Sequence, residues 1–358
     1  MAWYNSKGLV QERITDPHTG LKKTVSVKCR GTSDKAKQEA FKRLKERIAH
    51  IQDNKTLVSE AVKLWLTECE RSVKPSTLRK YRITLESIMN IIGDGYMDSM
   101  TAGYIRKKFL DSGEANRTLN GYLKTFKTFW TWAYRNDLVP TPEVSDKLQT
   151  FQDTPKKERI QDKYLEPKEL SKLLDSMKEA RWKLLTEFLA LSGLRIGEVA
   201  ALNKTDIGKY ISVTKTYDAN NKVVTSAKTF DSRREVYVQN ELRDCINRIN
   251  EYMKSQEEIW GYTTILFFPD IDGSYLKYYA YRKYLAENSV KALNRHIVPH
   301  TLRHTHCSIL ASKGMDLQAI SERLGHSDSK ITKEIYLHKL EELKEKENQQ
   351  LDAIHIVC

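Results

Sequence analysis

Between residues 3 and 30, apolar and polar side chains alternate in short runs. This alternation is typical of β-strands that have one buried face. A turn is predicted at Asp16–Gly20, where proline and glycine stand close together. The predicted strands are Trp3–Tyr4, Leu9–Val10 and Val25–Val27.

Helical spacing of the apolar residues follows this segment. Ser33 and Asp34 are suited to cap a helix that runs from about Lys35 to Ile51. Residues 55–136 then consist of amphipathic segments with helical periodicity. The predicted helices begin near Leu57, after Pro75, at Thr101 and near Arg117.

Two of these helices have a marked apolar stripe. In the last helix the stripe is aromatic, and because its spacing is helical we interpret the rings as core rather than as a platform for DNA bases. The stripe of the first helix begins with Leu57, Val62, Leu64 and Trp65. The aromatic stripe includes Phe126, Phe129, Trp130 and Trp132.

The helical pattern fades between about residues 137 and 163, where three prolines are followed by the charged run Lys156–Arg159. This composition indicates an exposed linker. Helical spacing resumes near Glu166 and continues to about residue 351. Residues 210–238 interrupt it with short β-like runs, which predict a small antiparallel sheet inside a helical domain. The predicted strands are 210–213, continued by 215–217, then 223–225 and 235–238.

These segments predict a multidomain, mainly α fold. Residues 1–54 would form a small N-terminal β-sheet plus helix, and residues 55–140 a helical domain. A linker at residues 141–163 would lead to a mixed α/β, mostly α domain at residues 164–340. Residues 341–358 would be a C-terminal tail that starts as a short charged helix and ends in apolar residues.

The charge of the chain indicates a polyanionic partner. Its 358 residues include 60 Lys and Arg against 47 Asp and Glu, a formal net charge of +13. Residues 1–55 hold 13 basic and 6 acidic residues, so more than half of the surplus lies there. Nucleic acid is the simplest partner for such a surface. The alternatives are a solvated basic surface and an accessory interaction domain without affinity for DNA.

Other features of composition indicate a reducing compartment. The five cysteines are scattered singly without a CxxC pair, which argues against a disulfide framework. No apolar run approaches the roughly 18 residues of a membrane span. The N-terminal residues lack the apolar region of a signal peptide. We therefore expect a cytoplasmic protein without a membrane partner.

Four separated motifs carry candidate chemistry. In the first, Leu191–Val199, an apolar helix stops at Gly193 and another starts beyond it, so Arg195 lies at a junction from which its side chain can reach a cleft. A structural ion pair between Arg195 and Glu198 is the alternative. The second motif is Lys228, which lies near the predicted hairpin. A solvated surface lysine is the alternative there.

The third motif joins a histidine and an arginine. Pro299 favours a helix start, so His300 and Arg303 lie three residues apart on one face near a helix N-terminus. Donors in this arrangement suit a phosphate group. In the fourth motif, the Leu-Gly-His run of Leu324 to His326, Gly325 ends one helix, and Tyr336 lies about two turns into the next.

Taken in this order, the motifs resemble those of the tyrosine recombinase (phage integrase) family. The resemblance of the catalytic motifs covers about residues 165–340. The helical segment 55–136 resembles that family's core-type DNA-binding domain, and the N-terminal sheet plus helix resembles the arm-type domain of integrases from phages and conjugative transposons. The catalytic residues that the resemblance implies are Arg195, Lys228, His300, Arg303, His326 and Tyr336.

The resemblance implies a site-specific DNA recombinase that cuts and rejoins strands through a 3′-phosphotyrosine intermediate and integrates or excises a phage or other mobile element. Tyr336 would be the nucleophile, and Arg195 and Arg303 would hold the phosphate oxygens. Lys228 would be the general acid, while His300 and His326 would add hydrogen bonds. No cofactor and no metal are expected, because the cationic side chains stabilise the phosphate charge.

The resemblance also implies partners. They are double-stranded DNA with core and arm attachment sites, further copies of the chain in a homotetramer on DNA, and a directionality factor or host DNA-bending protein. The C-terminal tail is expected to dock on a neighbouring protomer. The candidate DNA-binding residues lie on the basic faces of the first two domains and are Lys22, Lys23, Lys28, Arg30, Lys74, Thr77, Arg79, Lys80, Arg117, Lys124 and Lys127.

Other functions fit parts of the sequence. His300, His304 and His306 suggest a metal-dependent nuclease, but a helix turns His306 away from the other two, and no cysteine or carboxylate stands at ligand spacing. We expect His304 and His306 to pack or hydrogen-bond locally. A non-catalytic DNA-binding protein would need no tyrosine after the Leu-Gly-His run. A type IB-like topoisomerase or a non-integrative resolvase is the remaining alternative. The basic N-terminal domain favours integration at defined sites over the general relaxation of supercoils by a topoisomerase.

Overall fold

A computed structural model of the chain shows two compact units, Met1–Pro155 and Lys156–Cys358. The predicted turn at Asp16–Gly20 lies outside the part of the chain that is described. In the described ranges, no helix combines the length and the apolar character needed to cross a membrane. The structure describes residues 2–4, 8–15, 22–29, 31, 33–53, 56–153, 159–226, 233–325, 330–352 and 354.

The first unit begins with an antiparallel sheet and a helix. The sheet has the order β1-β2-β3, and one helix, α1, packs against it. Alternate strand residues are buried, and helix residues four apart meet them, as the two periodicities require. The strand and helix predictions are therefore confirmed here. The elements are β1 (Ala2–Tyr4), β2 (Leu9–Thr15), β3 (Lys22–Lys28) and α1 (Asp34–Asp53). The small core consists of Val10, Ile14, Val25, Ala40, Leu44 and Ile48.

Five helices with their own core complete the first unit. Phe126, Phe129 and Trp130 are buried, so the interpretation of the aromatic stripe as core is confirmed. Leu64 does not belong to its predicted stripe and is 56% exposed. The buried face of that helix is formed at three- and four-residue spacing by other positions, among them Val62 and Trp65, and Leu64 points away from it. The helices are α2 (Val58–Ser72), α3 (Pro75–Ile92), α4 (Ala102–Asp111), α5 (Asn116–Arg135) and α6 (Glu143–Lys147).

The core of this helical part extends beyond residue 140. Leu148 and Phe151, which fall in the predicted linker, are buried in it. The side-chain amide of Asn120 fixes the backbone of Phe151 from both sides, donating to its carbonyl at 2.9 Å and accepting from its N–H at 2.8 Å. Proline-rich composition alone does not reveal such packing.

The second unit is mostly helical and contains the largest core. Helix α8 is buried on nearly all sides, and α12 packs against both α8 and α14. The helices are α7 (Pro167–Ser176), α8 (Ala180–Ser192), α9 (Ile196–Ala201), α10 (Asn240–Trp260), α11 (Tyr278–Leu293), α12 (Pro299–Ser312), α13 (Leu317–Leu324) and α14 (Lys330–Asp352). The strands are β4 (Tyr210–Val213), β5 (Lys215–Asp218), β6 (Val223–Ser226) and β7 (Arg234–Tyr237).

These four strands form two ladders instead of one continuous sheet. Strand β4 pairs with β7, and β5 pairs with β6, both in antiparallel fashion. The chain leaves the first ladder at the exposed Thr214 and enters the second at once. The predicted strand positions are thus confirmed, but the alternation pattern could not show which strands are partners.

A glycine allows the second ladder to approach helix α9. A Cβ atom on Gly197 would lie 2.7 Å from Thr216 Oγ1 and 3.0 Å from the carbonyl oxygen of Tyr217. Both distances are shorter than normal van der Waals contacts, and the second involves rigid backbone. The close packing of α9 on β5 therefore requires glycine at this position.

We predict that Gly197→Ala lowers the stability of the second unit by about 1–3 kcal/mol, because the added methyl group overpacks the α9–β5 contact. Gly121→Ala in α5 is the matched control, since a Cβ atom there meets nothing within 4 Å. That control should raise helix stability by up to about 1 kcal/mol. Scanning calorimetry of both variants measures the two effects. If the Gly197→Ala variant unfolds at as high a temperature as the control, the packing argument is contradicted.

Candidate active site

Arg195 stands at the junction of two helices. Helix α8 ends at Gly193, whose φ of 68° is left-handed, and Arg195 is the N-cap residue of α9. A Cβ atom on Gly193 would lie 2.6 Å from the His306 ring and 2.9 Å from Leu324 Cδ2. The glycine therefore serves two purposes, because it turns the chain toward Arg195 and lets α12 and α13 approach the end of α8.

A buried carboxylate orients Arg195. Glu198 Oε2 accepts from the Arg195 backbone N–H, and its Oε1 accepts from Arg195 Nη1, both at 2.8 Å. The ion pair that we considered as an alternative is therefore present. It still leaves 34% of the Arg195 side chain exposed, so the guanidinium can contact a further group. The pair fixes the direction of Arg195 and does not exclude a catalytic role.

Arg234, which the sequence analysis missed, holds the other side of Glu198. Its Nη1 and Nη2 donate to the two carboxylate oxygens at 3.1 and 2.8 Å. Burial by itself would raise the pKa of Glu198, but Arg234 and Arg195 lower it to about 2. Arg234 Nε also donates to the Arg323 carbonyl at 2.8 Å. The sequence does not predict this contact, because the direction of a basic side chain at the start of a short strand depends on how the strand pairs.

Helix α12 supplies Arg303 and His300. Pro299 occupies its first turn, as predicted, and the Arg303 side chain is almost wholly buried. Arg303 Nη1 donates to the Gly193 carbonyl at 2.6 Å, and Nη2 donates to the Leu324 carbonyl. Burial and the neighbouring Arg195 lower the pKa of Arg303 to about 9, which leaves it charged at neutral pH.

The histidines of α12 have different surroundings. His300 reaches solvent, and its ring stacks edge-on against His304 with 4.8 Å between the centroids. Partial burial, Arg303 and Arg195 lower the pKa of His300, so its imidazole is neutral at pH 7. Burial lowers the pKa of His304 to about 4 and that of His306 to about 3.

His306 has a defined tautomer. Its Nδ1 lies 2.8 Å from the Ala190 carbonyl and so carries the hydrogen, while Nε2 accepts from Arg323 Nε at 3.0 Å. The prediction that His304 and His306 pack or bond locally is confirmed. Within the ranges that the structure describes, no three His, Cys, Asp or Glu side chains are arranged to hold a metal ion.

Tyr336 lies about two turns into α14, as the sequence analysis predicts. Its ring packs at the edge of a cluster that joins α12, α13 and α14. Leu324 belongs to this cluster, and its carbonyl binds Arg303, so the helix of the tyrosine and the buried arginine share one support. Lys228 and His326 lie outside the described residues. The buried members of the cluster are Tyr164, Cys307, Ala311, Ile320, Leu324 and Ile335.

The candidate DNA-binding residues lie on two parts of the first unit. Strand β3 begins with Lys22 and ends with Lys28, both exposed, and it also contains Lys23. Arg30 lies outside the described residues. In the helical part, the candidates belong to the start of α3 and to α5, and they are exposed or half-buried. They are Lys74, Thr77, Arg79 and Lys80 near the start of α3, and Arg117, Lys124 and Lys127 on α5.

Comparison with protein families gives two matches. Residues 163–342, half of the chain, match the Phage integrase family. Residues 57–112 match the N-terminal SAM-like domain of phage integrases. The first match contains Arg195, His300, Arg303 and Tyr336, and the second covers α2 to α4.

Three relatives match from 77% to 95% of this chain. The Prophage ps2 probable integrase of Lactococcus lactis subsp. lactis (strain IL1403) is 26% identical over 95% of this chain and 95% of its own length. The ICEBs1 integrase of Bacillus subtilis (strain 168) is 26% identical over 77% of each chain. Tyrosine recombinase XerD of Staphylococcus saprophyticus is 25% identical over 79% of this chain and 94% of its own.

Solved structures share the fold. A Tn1549 transposon integrase in complex with a circular intermediate DNA superposes with a TM-score of 0.61 at 20% identity, over 77% of this chain and 94% of that one. A lambda integrase tetramer bound to a Holliday junction gives a TM-score of 0.60 at 16% identity, over 93% and 94%. Because the family match spans half of its length, this chain belongs to the phage integrase family, and it is a tyrosine-type site-specific recombinase.

Proposed function

We propose that this recombinase integrates or excises a mobile DNA element and that Tyr336 forms the covalent link to DNA. The observation that carries the proposal is the grouping of Arg195, His300 and Arg303 at one helix junction. Leu324, which accepts a hydrogen bond from Arg303, belongs to the hydrophobic cluster that also contains Tyr336. Two guanidinium groups beside a neutral imidazole suit a phosphodiester, and the pairing of Arg195 with Glu198 leaves part of its guanidinium exposed for this contact.

The first chemical step is a phosphoryl transfer. Tyr336 Oη forms a bond to the phosphorus atom, and the bond from phosphorus to the 5′-oxygen breaks. The phosphotyrosine ester keeps the energy of the broken phosphodiester, so the reverse attack by a DNA 5′-hydroxyl rejoins the strand without ATP. Arg195 is the more exposed cation and contacts a non-bridging oxygen. The buried charge of Arg303 stabilises the negative charge that develops in the transition state.

Two protons move in this step. The leaving 5′-oxygen takes a proton from Lys228, the general acid. The tyrosine proton passes to a base, for which His300 and His326 are the candidates. The lowered pKa of His300 supports this role, since a neutral imidazole can accept a proton at pH 7.

DNA recognition is divided between two parts of the first unit. Residues 1–54 bind arm sites, and the helical part binds core sites together with the catalytic domain at residues 164–340. The basic residues of β3, α3 and α5 neutralise phosphates. The DNA complexes of the Tn1549 and lambda integrases support binding to DNA, and the lambda tetramer supports assembly of four protomers. A directionality factor or a host DNA-bending protein selects integration or excision, in the bacterial cytoplasm.

Tyr336→Phe should abolish the covalent adduct while leaving DNA binding intact, because only the attacking oxygen is removed. The measurement is denaturing gel electrophoresis of protein with labelled attachment DNA, in buffer with excess EDTA. The wild-type chain should form the adduct under these conditions, since its cations replace a metal ion. An undiminished adduct in the variant would remove Tyr336 from this role.

Lys228→Ala should slow cleavage of ordinary DNA by about 100-fold or more, which is the usual contribution of a general acid. A substrate with sulfur at the 5′ bridging position has a leaving group that needs little protonation. Cleavage by Lys228→Ala should therefore recover on this substrate, whereas Arg195→Ala should stay slow on both. Equal failure of the two variants on the sulfur substrate would contradict the assignment of Lys228.

Lys22→Ala combined with Lys28→Ala should weaken binding to DNA that carries arm sites. The slope of log K against log salt is negative, and each lost phosphate contact reduces its magnitude by about 0.9, so the double variant should make the slope less steep by roughly 2. DNA with only a core site is the control, and binding and cleavage there should be unchanged. An equal loss on both DNAs would show that β3 has no selective role at arm sites.

A further inference from the structure

Lys339 is a buried cation close to the nucleophile. It lies three residues after Tyr336 on α14, which places it on the same face one turn further along. Only 5% of its side chain is exposed, and no other lysine is buried among the residues that the structure describes. A charge that is so well buried cannot contact DNA directly, and its burial is costly unless other groups compensate it.

Two carboxylates and one ring surround this lysine. Lys339 Nζ donates to Glu166 Oε1 at 2.6 Å and to Glu342 Oε2 at 2.8 Å. It also lies 4.8 Å from the centre of the Tyr164 ring. Burial alone would lower the pKa of Lys339, but hydrogen bonds to the two glutamates and to Tyr164 raise it. Lys339 is therefore charged at every physiological pH.

Glu166, one of the two carboxylate partners of Lys339, belongs to a segment that contacts α14 at several positions. In this segment, residues 163–166, Lys163 Nζ lies 3.4 Å from Glu334 Oε2, and Tyr164 Oη lies 3.4 Å from His338 Nδ1. The contacted positions of α14 precede and follow Tyr336 in the sequence. Segment 163–166 therefore holds the helix on both sides of the nucleophile.

The same segment is fixed to the helix of Arg303. The Leu165 N–H donates to Thr305 Oγ1 of α12 at 2.9 Å. Arg295 Nη2 donates to the Tyr164 carbonyl at 3.0 Å, and Arg295 Nη1 donates to Glu169 Oε1 at 2.7 Å. Segment 163–166 thus connects α12, which carries Arg303, with α14, which carries the proposed nucleophile.

We propose that Lys339, through Glu166 and Tyr164, is a positioning residue that sets the height and rotation of Tyr336 relative to Arg303. This inference rests on the proposed role of Tyr336 as nucleophile. The apolar contacts of α14 are non-directional and tolerate small shifts along or around the helix axis. The ion pair of Lys339 has a defined geometry, and a misplacement of about 1 Å in an active site can cost 100-fold in rate.

The test is single-turnover adduct formation at saturating attachment DNA, with the full-length chain. Lys339→Met should lower the rate constant by about 10- to 100-fold and leave the amplitude and the Kd for DNA unchanged. Lys339→Arg, which keeps the charge, should recover most of the rate. Lys330→Met is the matched control on the same helix, because Lys330 is 90% exposed and its Nζ lies 3.9 Å from Glu334 Oε1. That control should react as the wild-type chain does.

A purely structural role would give a different result. Partial unfolding lowers the fraction of active molecules, and therefore the amplitude, without changing the rate constant of the remainder. A normal rate constant in Lys339→Met, or a loss of amplitude alone, would overturn the proposal. Glu166→Gln tests the same contact from the other partner, because it removes the carboxylate charge while Lys339 and its packing stay in place. It should also lower the rate constant, by a smaller factor.

The 5′-sulfur substrate separates this inference from the proposed chemistry. Lys339→Met should remain slow on it, because nucleophilic attack is still required, and recovery there would overturn the positioning role. An adduct formed by Tyr336→Phe would instead contradict the proposed nucleophile. The two failures are thus distinguishable in one set of assays.

Discussion

The buried guanidinium of Arg303 is the interaction on which the arrangement of the site depends. A cation with almost no solvent contact needs hydrogen-bond partners, and here two of them are the carbonyls of Gly193 and Leu324. Both carbonyls lie at helix C-termini, where backbone acceptors have no partner within the helix and the helix dipole is negative. Arg303 thus satisfies the ends of α8 and α13 while these helix ends stabilise its charge.

This arrangement explains the two glycine-containing motifs in physical terms. Each of the two helices ends in a left-handed glycine, Gly193 or Gly325, and a side chain at either position would collide with a neighbour. The neighbour is the His306 ring at Gly193 and the Arg234 side chain at Gly325. The motifs are far apart in the sequence, but their glycines bring two helix ends within reach of one arginine. The order of the motifs was visible in the sequence, whereas their common purpose required the structure.

Sequence periodicity predicted much of the fold, and the motifs predicted where Arg195, Arg303 and Tyr336 lie on their helices. Strands, helices and the aromatic core follow from alternation and helical spacing, which local sequence determines. Arg234, Arg323 and Lys339 could not be found in this way, because a basic residue on a strand or a helix is usually solvated. Their fixed positions result from hydrogen bonds with residues far away in the chain, such as Glu198 for Arg234 and Glu166 for Lys339. Strand partners, and the packing of Phe151, depend on tertiary contacts for the same reason.

Directional polar contacts determine how the separate pieces of the site are aligned. The apolar cores hold α8, α12, α13 and α14 together, but hydrophobic contacts specify position only loosely. Glu198 aligns the start of α9 with β7, Arg303 aligns the ends of α8 and α13, and Lys339 aligns α14 with segment 163–166. Each proposed catalytic group in the described residues is therefore a buried charge with fixed partners or lies on the same helix as one. Such a design suits a reaction whose nucleophile must reach a phosphorus atom held by groups on other helices, because the necessary precision is set before DNA binds.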